Sequence, residues 1–303
     1  IPTIYGSAVR STVSAAIVSN LLVSLQLFSR LEARHNVKDI EPRLFPKDGG
    51  PEDGDCDYES KLEGSCKTEL LYHLLCRCVL PKEAGGLEVD VVFVDTDYGL
   101  DMLRLVSILD SRLNTGTQTN LSMTVLRSCL SRLLVIHCSS SAQLLLTLHF
   151  LENSLSSRPA LALLLIDSIS AFYWVDRCEG GGSIAKQEER LSKCAELLGR
   201  LLRSVDYRLS VCATCHAIRR SNDGQASSDS DRSYLCRAWQ RLVTHRLLLS
   251  REAATSMKQG SKEQRSQQVF TVLCSSSSSS SSSKIKSYRS SLFCVTDGGV
   301  EFI

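Results

Sequence analysis

Apolar positions along the central part of the chain follow two alternating patterns. Four short runs have the length and β-branched or leucine-rich character of buried strands, and the segments between them repeat apolar residues at helical spacing. Strands are predicted over 89–94, 133–138, 161–166 and 209–213, and helices over 68–79, 101–113, 142–155 and 187–202. Unbroken apolar strands separated by helices are typical of a mostly parallel sheet covered on both faces, so the predicted fold class is α/β.

The last third of the chain predicts further strands over 243–250, 269–274 and 292–296, at one edge of the sheet. Residues 221–233 show no periodicity, and residues 275–283 are nine consecutive serines. Neither segment can bury apolar surface, so both are predicted to be disordered inserts. The expected organisation is an N-terminal helical segment over 1–46, a linker over 47–57 that is rich in glycine and acidic residues, and a single core domain over 58–303.

The segment 11–28 is apolar enough to suggest a membrane span or a signal peptide. Asn20, Gln26 and several serines interrupt it, and its large apolar residues recur at helical spacing, so an amphipathic helix is predicted and no membrane contact is expected. The chain begins at Ile1 rather than methionine, which indicates a fragment or an imperfect gene model over residues 1–25.

Charge and cysteine content narrow the class of protein. The net charge is +2 and the pI is about 8.0, which permits contact with nucleic acid without indicating it. The thirteen cysteines lack a regular framework, so reduced thiols in a cytosolic or nuclear protein are expected. Cys76 with Cys78, and Cys212 with Cys215, lack the second ligand pair of a zinc site.

Residues 61–68 carry a partial phosphate-binding motif. That motif requires a glycine, four residues, and then Gly-Lys-Ser/Thr before a helix, since backbone N–H groups wrap the phosphates and the lysine reaches them. Lys67 and Thr68 match, whereas Lys61 and Cys66 replace both glycines. The candidate nucleotide-binding residues are Glu63, Gly64, Ser65, Cys66, Lys67 and Thr68.

Two carboxylates follow predicted strands in the positions that nucleotide chemistry uses. Asp167 ends the apolar strand 161–166, where an aspartate holds magnesium through the water around the metal, together with the hydroxyl of Thr68. Asp97 follows the strand 89–94 and could orient an attacking water as a general base. A turn or helix cap is an equally good interpretation of Asp97, and any buried strand can end in aspartate.

Several strings resemble the recombinase paralogues of the RecA family, which act in homologous recombination. They lie at 67–74, 85–89, 93–98, 101–105, 138–141, 167–174, 238–240 and 299–302, and the resemblance covers the chain from about residue 31 to its end. The resemblance implies a RecA-like core with a phosphate-binding loop, which acts in the nucleus within a heteromeric complex of recombinase paralogues. That complex would assist strand exchange on single-stranded or branched DNA and support the repair of double-strand breaks.

The resemblance also implies ligands and their residues. ATP and magnesium are the expected cofactors, with His216 at the position that senses the γ-phosphate. The two loops that approach DNA in the family would fall near 175–185 and 217–233, which makes Arg177, Lys186, Arg219 and Arg220 the candidate DNA-binding residues. Residues 21–31 and the sheet edge are candidate docking elements for a partner.

The chain departs from the family at the first strand and the loop. Residues 55–61 are too polar for a central strand, and the side chain of Cys66 is expected to crowd a position where glycine allows positive φ. Either the sequence is locally wrong or nucleotide binding has decayed. We therefore expect an assembly subunit with weak or no ATP hydrolysis. The competing hypothesis is a DNA-stimulated ATPase that uses Lys67, Thr68, Asp167 and Asp97.

Overall fold

The structure is a computed structural model that describes residues 37–45, 66–114, 122–181, 183–203, 209–215, 235–251, 268–276 and 288–303. Several predicted features lie outside these residues. They are the helix at 11–28, the linker, the insert at 221–233, the docking segment 21–31, the loop residues 61–65, and the side chains of His216, Arg219 and Arg220.

Eight α-helices occur in the described parts of the chain. They are α1 (Val37–Ile40), α2 (Lys67–Val79), α3 (Met102–Leu113), α4 (Ser122–Ser131), α5 (Ser141–Ser157), α6 (Tyr173–Glu179), α7 (Ile184–Arg203) and α8 (Arg237–Leu242). Short 3-10 turns lie at Pro42–Leu44 and Lys82–Ala84. The strands are β1 (Asp90–Asp95), β2 (Leu133–His137), β3 (Leu161–Asp167), β4 (Ser210–Ala213), β5 (His245–Arg251), β6 (Val269–Ser276), β7 (Tyr288–Thr296) and β8 (Gly299–Phe302).

The first four strands form a parallel sheet in the order β2-β1-β3-β4. Parallel strands need crossover connections, and α3 with α4, α5, and α6 with α7 supply them. The register aligns Asp95 at the end of β1 with Asp167 at the end of β3. The predicted α/β fold is confirmed, and its parallel strands deliver their carboxyl ends to one common edge.

Two apolar clusters pack on opposite faces of this sheet. Val91 and Phe93 of β1 face the first cluster, while Val92 and Val94 face the second, because successive side chains of a strand point to opposite sides. Helices α2, α3 and α4 contribute to the first cluster, and α5 and α7 to the second. Helices therefore cover both faces, and β1 and β3 are buried along nearly their whole length.

The last four strands form a second, antiparallel sheet in the order β5-β6-β7-β8. The expectation of late strands at one edge of the parallel sheet needs correction, because within the described residues these strands pair only with one another. Phe270, Val272 and Phe293 bury one side of this sheet against the first cluster. The α2 helix thus lies between the parallel sheet and the β8 strand.

Two predicted loops also need correction. Ser275 and Ser276 belong to β6, because their backbone pairs with β5 whatever the side chain, while residues 277–283 lie outside the described residues. Most of the predicted mobile loop at 175–185 is helical, since α6 reaches Glu179 and α7 begins at Ile184. Arg190 of α7 binds Asp176 and Glu179 of α6, both at 2.8 Å, which fixes the short helix in place.

Candidate nucleotide site

The first turn of α2 meets the carboxyl ends of two parallel strands. The Thr68 hydroxyl donates to Asp167 Oδ2 at 2.9 Å, and the Thr214 hydroxyl donates to the other oxygen of the same carboxylate. The Lys67 ammonium donates to the carbonyl of Cys215 at 3.1 Å. The structure therefore brings together Lys67, Thr68 and Asp167, the three residues that the sequence analysis placed at phosphate and magnesium.

Strand pairing explains why Thr214 reaches Asp167. The backbone N–H of Thr214 donates to the carbonyl of Ile166 at 2.9 Å, and the N–H of Ile169 donates to the carbonyl of Thr214 at 3.0 Å. Asp167 is only 9% exposed, and a buried carboxylate needs donors to offset its lost hydration. Thr214 was not predicted from the sequence, although its place just after β4, next to the strand that ends in Asp167, was a usable signal.

Asp95 is the buried carboxylate at the end of β1, and it organises the loop that follows. Its two oxygens accept from the backbone N–H groups of Gly99 at 3.1 Å and Leu100 at 3.2 Å. His137 of β2 lies 3.5 Å from the same carboxylate. Asp97, the predicted base, is exposed on this loop, so its catalytic role stays a prediction.

Cys66 precedes α2 with a negative φ, so its backbone does not adopt the positive φ that glycine would allow. Its φ of −76° lies in a region open to any residue, so glycine is not required here for conformational reasons. The half-buried side chain packs against the first apolar cluster. Burial raises the pKa of the Cys66 thiol to about 11, so the thiol stays protonated and unreactive.

Of the predicted DNA-binding residues, the structure describes Arg177 and Lys186. Both are exposed, Arg177 on α6 and Lys186 on the first turn of α7. The Arg177 guanidinium lies 5.8 Å from the ring centres of both Tyr173 and Trp174, and Trp174 is 56% exposed. A cation and an exposed aromatic ring thus share one surface of α6.

A charge cluster around a buried carboxylate, on the other side of α2, was not predicted from the sequence. Glu41 is 1% exposed, and its carboxylate accepts from Arg43 at 2.7 Å and from His73 Nε2 at 2.7 Å. Arg77 lies 3.7 Å from the same carboxylate, and Arg112 lies 3.0 Å from His73 Nδ1. We refer to Glu41, Arg43, His73, Arg77 and Arg112 as the Glu41 cluster.

The hydrogen bonds of the Glu41 cluster fix its protonation. Burial acts to raise the pKa of Glu41, but hydrogen bonds from Arg43 and His73 outweigh it and hold that pKa well below its usual range. Burial lowers the pKa of His73, which opposes the pull of Glu41. A neutral His73 that donates from Nε2 to Glu41 and accepts at Nδ1 from Arg112 satisfies the hydrogen bonds of both ring nitrogens.

Two features do not occur in the described parts of the chain. There, no group of three or more His, Cys, Asp or Glu side chains could hold a metal ion, and no helix is long and apolar enough to cross a bilayer. The described cysteines are free thiols, and Cys76 and Cys78 are buried in the core.

Comparison with known proteins agrees with the geometry of this site. The Rad51 family model matches residues 63–270, which include α2, the parallel sheet and Asp167. The chain belongs to the Rad51 family. It is 44% identical over 288 residues to the DNA repair protein XRCC2 of Mus musculus, an alignment that covers 91% of this chain and 95% of the mouse protein.

More distant relatives belong to the same family. An XRCC2 homolog of Arabidopsis thaliana is 25% identical over 62% of this chain and 67% of the plant protein. A RAD51 homolog 4 of Bos taurus is 28% identical over 61% of this chain and 52% of the bovine protein. The resemblance to recombinase paralogues of the RecA family is thereby confirmed.

The described residues fit a magnesium nucleotide. Hydroxyl and carboxylate oxygens are suitable for magnesium and its waters, and Thr68 and Asp167 place two of them side by side. Cys66 caps the amino terminus of α2 without a side-chain hydrogen bond, and Lys67 adds a positive charge there. Bound magnesium would neutralise phosphate charge; Lys67 would hold the phosphates, and Thr68 and Asp167 would hold the metal ion.

Proposed function

We propose that this chain acts in the nucleus as a subunit of a heteromeric complex of recombinase paralogues that supports homologous recombination and double-strand-break repair. The 44% identity to a DNA repair protein over 91% of the chain supports the repair role. We also propose that the chain keeps a nucleotide-binding core. The observation that supports this is that Lys67, Thr68 and Thr214 converge around Asp167 and the end of β4.

The nucleotide part is tested by the affinity of the full chain for ATP with magnesium. We expect measurable binding that Lys67→Ala lowers by at least about tenfold, because the substitution removes the lysine ammonium from the first turn of α2. Lys193→Ala on α7 is the control, since Lys193 is paired with Glu189 on the surface. The nucleotide-binding part of the proposal would be refuted if the wild-type protein did not bind ATP or if Lys67→Ala bound ATP with equal affinity.

Weak or absent hydrolysis is part of the proposal. Asp97 is exposed on its loop, whereas Asp95 is buried at the end of β1. We expect single-turnover ATP hydrolysis that hardly exceeds the background without protein. Rapid DNA-stimulated turnover that Asp97→Asn removes would instead favour the DNA-stimulated ATPase.

The complex is tested by purifying the chain together with single recombinase paralogues of the same organism. We expect a stable pair with at least one of them, and we expect deletion of residues 21–35 to weaken it. Survival of the pair after that deletion would remove the N-terminal segment from the proposal. A chain that stays monomeric with every paralogue would remove the complex itself.

DNA contact is proposed at α6 and the start of α7. Exposed Arg177 and Lys186 supply positive charge for phosphates, and exposed Trp174 supplies a face on which a base can stack. A Trp174→Ala/Arg177→Ala variant is expected to weaken single-stranded DNA binding by the complex by about tenfold. Equal affinity of the variant and the wild-type complex would show that DNA binds at another surface.

A further inference from the structure

The loop between β1 and α3, residues 96–101, is bound from two sides at Gly99. Asp95 accepts from the Gly99 N–H at 3.1 Å, and the Tyr72 hydroxyl donates to the Gly99 carbonyl at 3.5 Å. The same hydroxyl accepts from the Asp101 N–H at 2.7 Å. Tyr72 therefore holds the second half of a short loop whose first half carries Asp97 and Tyr98.

Tyr72 belongs to the helix that carries the candidate nucleotide residues. It follows Thr68 by four positions, and side chains four apart share one face of a helix. Thr68 contacts the end of β3 through Asp167, and Tyr72 contacts the loop after the neighbouring strand β1. One face of α2 is thus joined to the ends of two adjacent strands.

The hydroxyl of Tyr72 is built to keep these bonds. The side chain is 2% exposed, so water has little access to its partners. Burial raises the pKa of Tyr72, and the hydroxyl therefore retains the proton that it donates. A second brace lies beside it, since Arg104 of α3 binds both oxygens of Glu69 in the first turn of α2, at 2.9 and 3.1 Å.

We propose that Tyr72 is a positioning residue that couples nucleotide at Lys67 and Thr68 to the order of the 96–101 loop. The proposal rests on the nucleotide binding proposed above. A nucleotide that fixes the first turn of α2 also fixes Tyr72, one turn further along a rigid helix. The Tyr72 hydroxyl then holds Gly99 and Asp101, so Asp97 and the 65% exposed Tyr98 are presented in one arrangement.

The test compares backbone amide exchange in the full chain with and without ATP and magnesium. In the wild-type protein, nucleotide is expected to slow exchange of the Asp101 amide by at least about threefold, because that amide is bonded to Tyr72. In Tyr72→Phe, which keeps the buried ring, we expect unchanged nucleotide affinity and no slowing at Asp101. Tyr98→Phe makes the same change on an exposed side chain of the same loop and is expected to behave like the wild type.

The outcomes separate the two proposals. Wild-type protein that fails to bind ATP overturns the proposed nucleotide site and this coupling with it. Nucleotide binding with equal slowing at Asp101 in the wild type and in Tyr72→Phe overturns the coupling alone. A loss of affinity in Tyr72→Phe that matches Lys67→Ala also overturns it, because Tyr72 would then act on binding rather than on the loop.

Discussion

The α2 helix carries two polar clusters that differ in how they satisfy their charges. At its first turn, Asp167 is held by two neutral hydroxyls and Lys67 by one carbonyl, and Lys67 and Thr68 are half-buried. Further along, the Glu41 cluster binds a 1% exposed carboxylate with Arg43 and His73. The first cluster can exchange its partners for a ligand, whereas the second serves to hold the helix.

The attachment made by the Glu41 cluster is long-range. It joins the segment 37–45 to α2 and α3, and Arg112 continues it to the carbonyl of Gly298 beside β8. Arg289 of β7 donates to the carbonyls of Pro42 and Phe45 in the same segment. We infer from this difference that the Glu41 cluster anchors α2 on the side away from the candidate site. The first turn of α2 is thereby left available to bind a ligand.

Of the changes that test this comparison, removal of the carboxylate of the Glu41 cluster should lower the stability of the protein most. Glu41→Ala leaves the buried His73 and the half-exposed Arg43 without their acceptor, and the expected loss is about 2 to 3 kcal/mol of unfolding free energy. Denaturant titration measures it. Glu196→Ala removes an exposed carboxylate from α7 and should change stability little. Equal stability of the two variants would refute a holding role for Glu41.

Acid should weaken the Glu41 cluster. Burial lowers the pKa of His73, so the unfolded chain takes up a proton below about pH 6.5 while the folded protein resists it. Stability is therefore full above that pH and falls as pH drops, by at most about 1.4 kcal/mol per pH unit for this group. The lowered pKa of Glu41 adds a further loss below about pH 4.5.

The pH effect is checked by unfolding curves between pH 7.5 and pH 5. His73→Asn should flatten the slope in that range, and His149→Asn, on an exposed side chain of α5, should not. A slope that persists in His73→Asn would assign the pH dependence to other groups.

A smaller effect is expected at the first turn. Thr214→Val removes one of the two hydroxyls that bind Asp167, and the expected loss is about 1 to 2 kcal/mol, measured by denaturant titration. The matched control is Thr124→Val on the exposed face of α4. A loss as large as that of Glu41→Ala would remove the contrast between an exchangeable cluster and a fixed one.

The smallest expected effect concerns Cys66. Because its side chain packs on the apolar core, Cys66→Gly should cost about 1 kcal/mol of stability and leave ATP affinity within about threefold of the wild type. Cys66→Ala loses the sulfur but keeps the Cβ atom. It therefore distinguishes the stability lost with the sulfur's packing from any effect of the space that glycine opens. A gain of tenfold or more in affinity for glycine alone would show that the Cβ atom crowds the phosphates.

Local sequence patterns predicted the parallel sheet and its main helices, because strands such as β3 are buried on both faces and read as unbroken apolar runs. The α4 helix was missed. The late strands were assigned to the wrong sheet, since pairing partners are chosen by tertiary contacts that periodicity does not encode. A sequence motif marks Lys67 and Thr68, and the end of an apolar strand marks Asp167, so these three residues could be predicted.

The remaining polar residues carry no such local mark. Glu41 stands next to Pro42 in a stretch that reads as solvated surface, and only packing against α2 buries it. Tyr72 looks like one more core position of an amphipathic helix, and its hydroxyl contacts become visible only when the loop after β1 is placed. Long-range contacts of this kind are beyond a reading of local pattern.

The alignment of Asp95 with Asp167 across β1 and β3 makes this part of the chain intolerant of changes in length. Deleting one residue within β3 would turn every following side chain to the opposite face, so Asp167 would leave Thr68 and Ser168 would take its place. A substitution in β1 or β3 can have a small effect on the site, whereas a shift of strand register changes every following position at once. Natural variation in β1 and β3 is therefore expected as exchanges of apolar residues, with insertions and deletions confined to the connections.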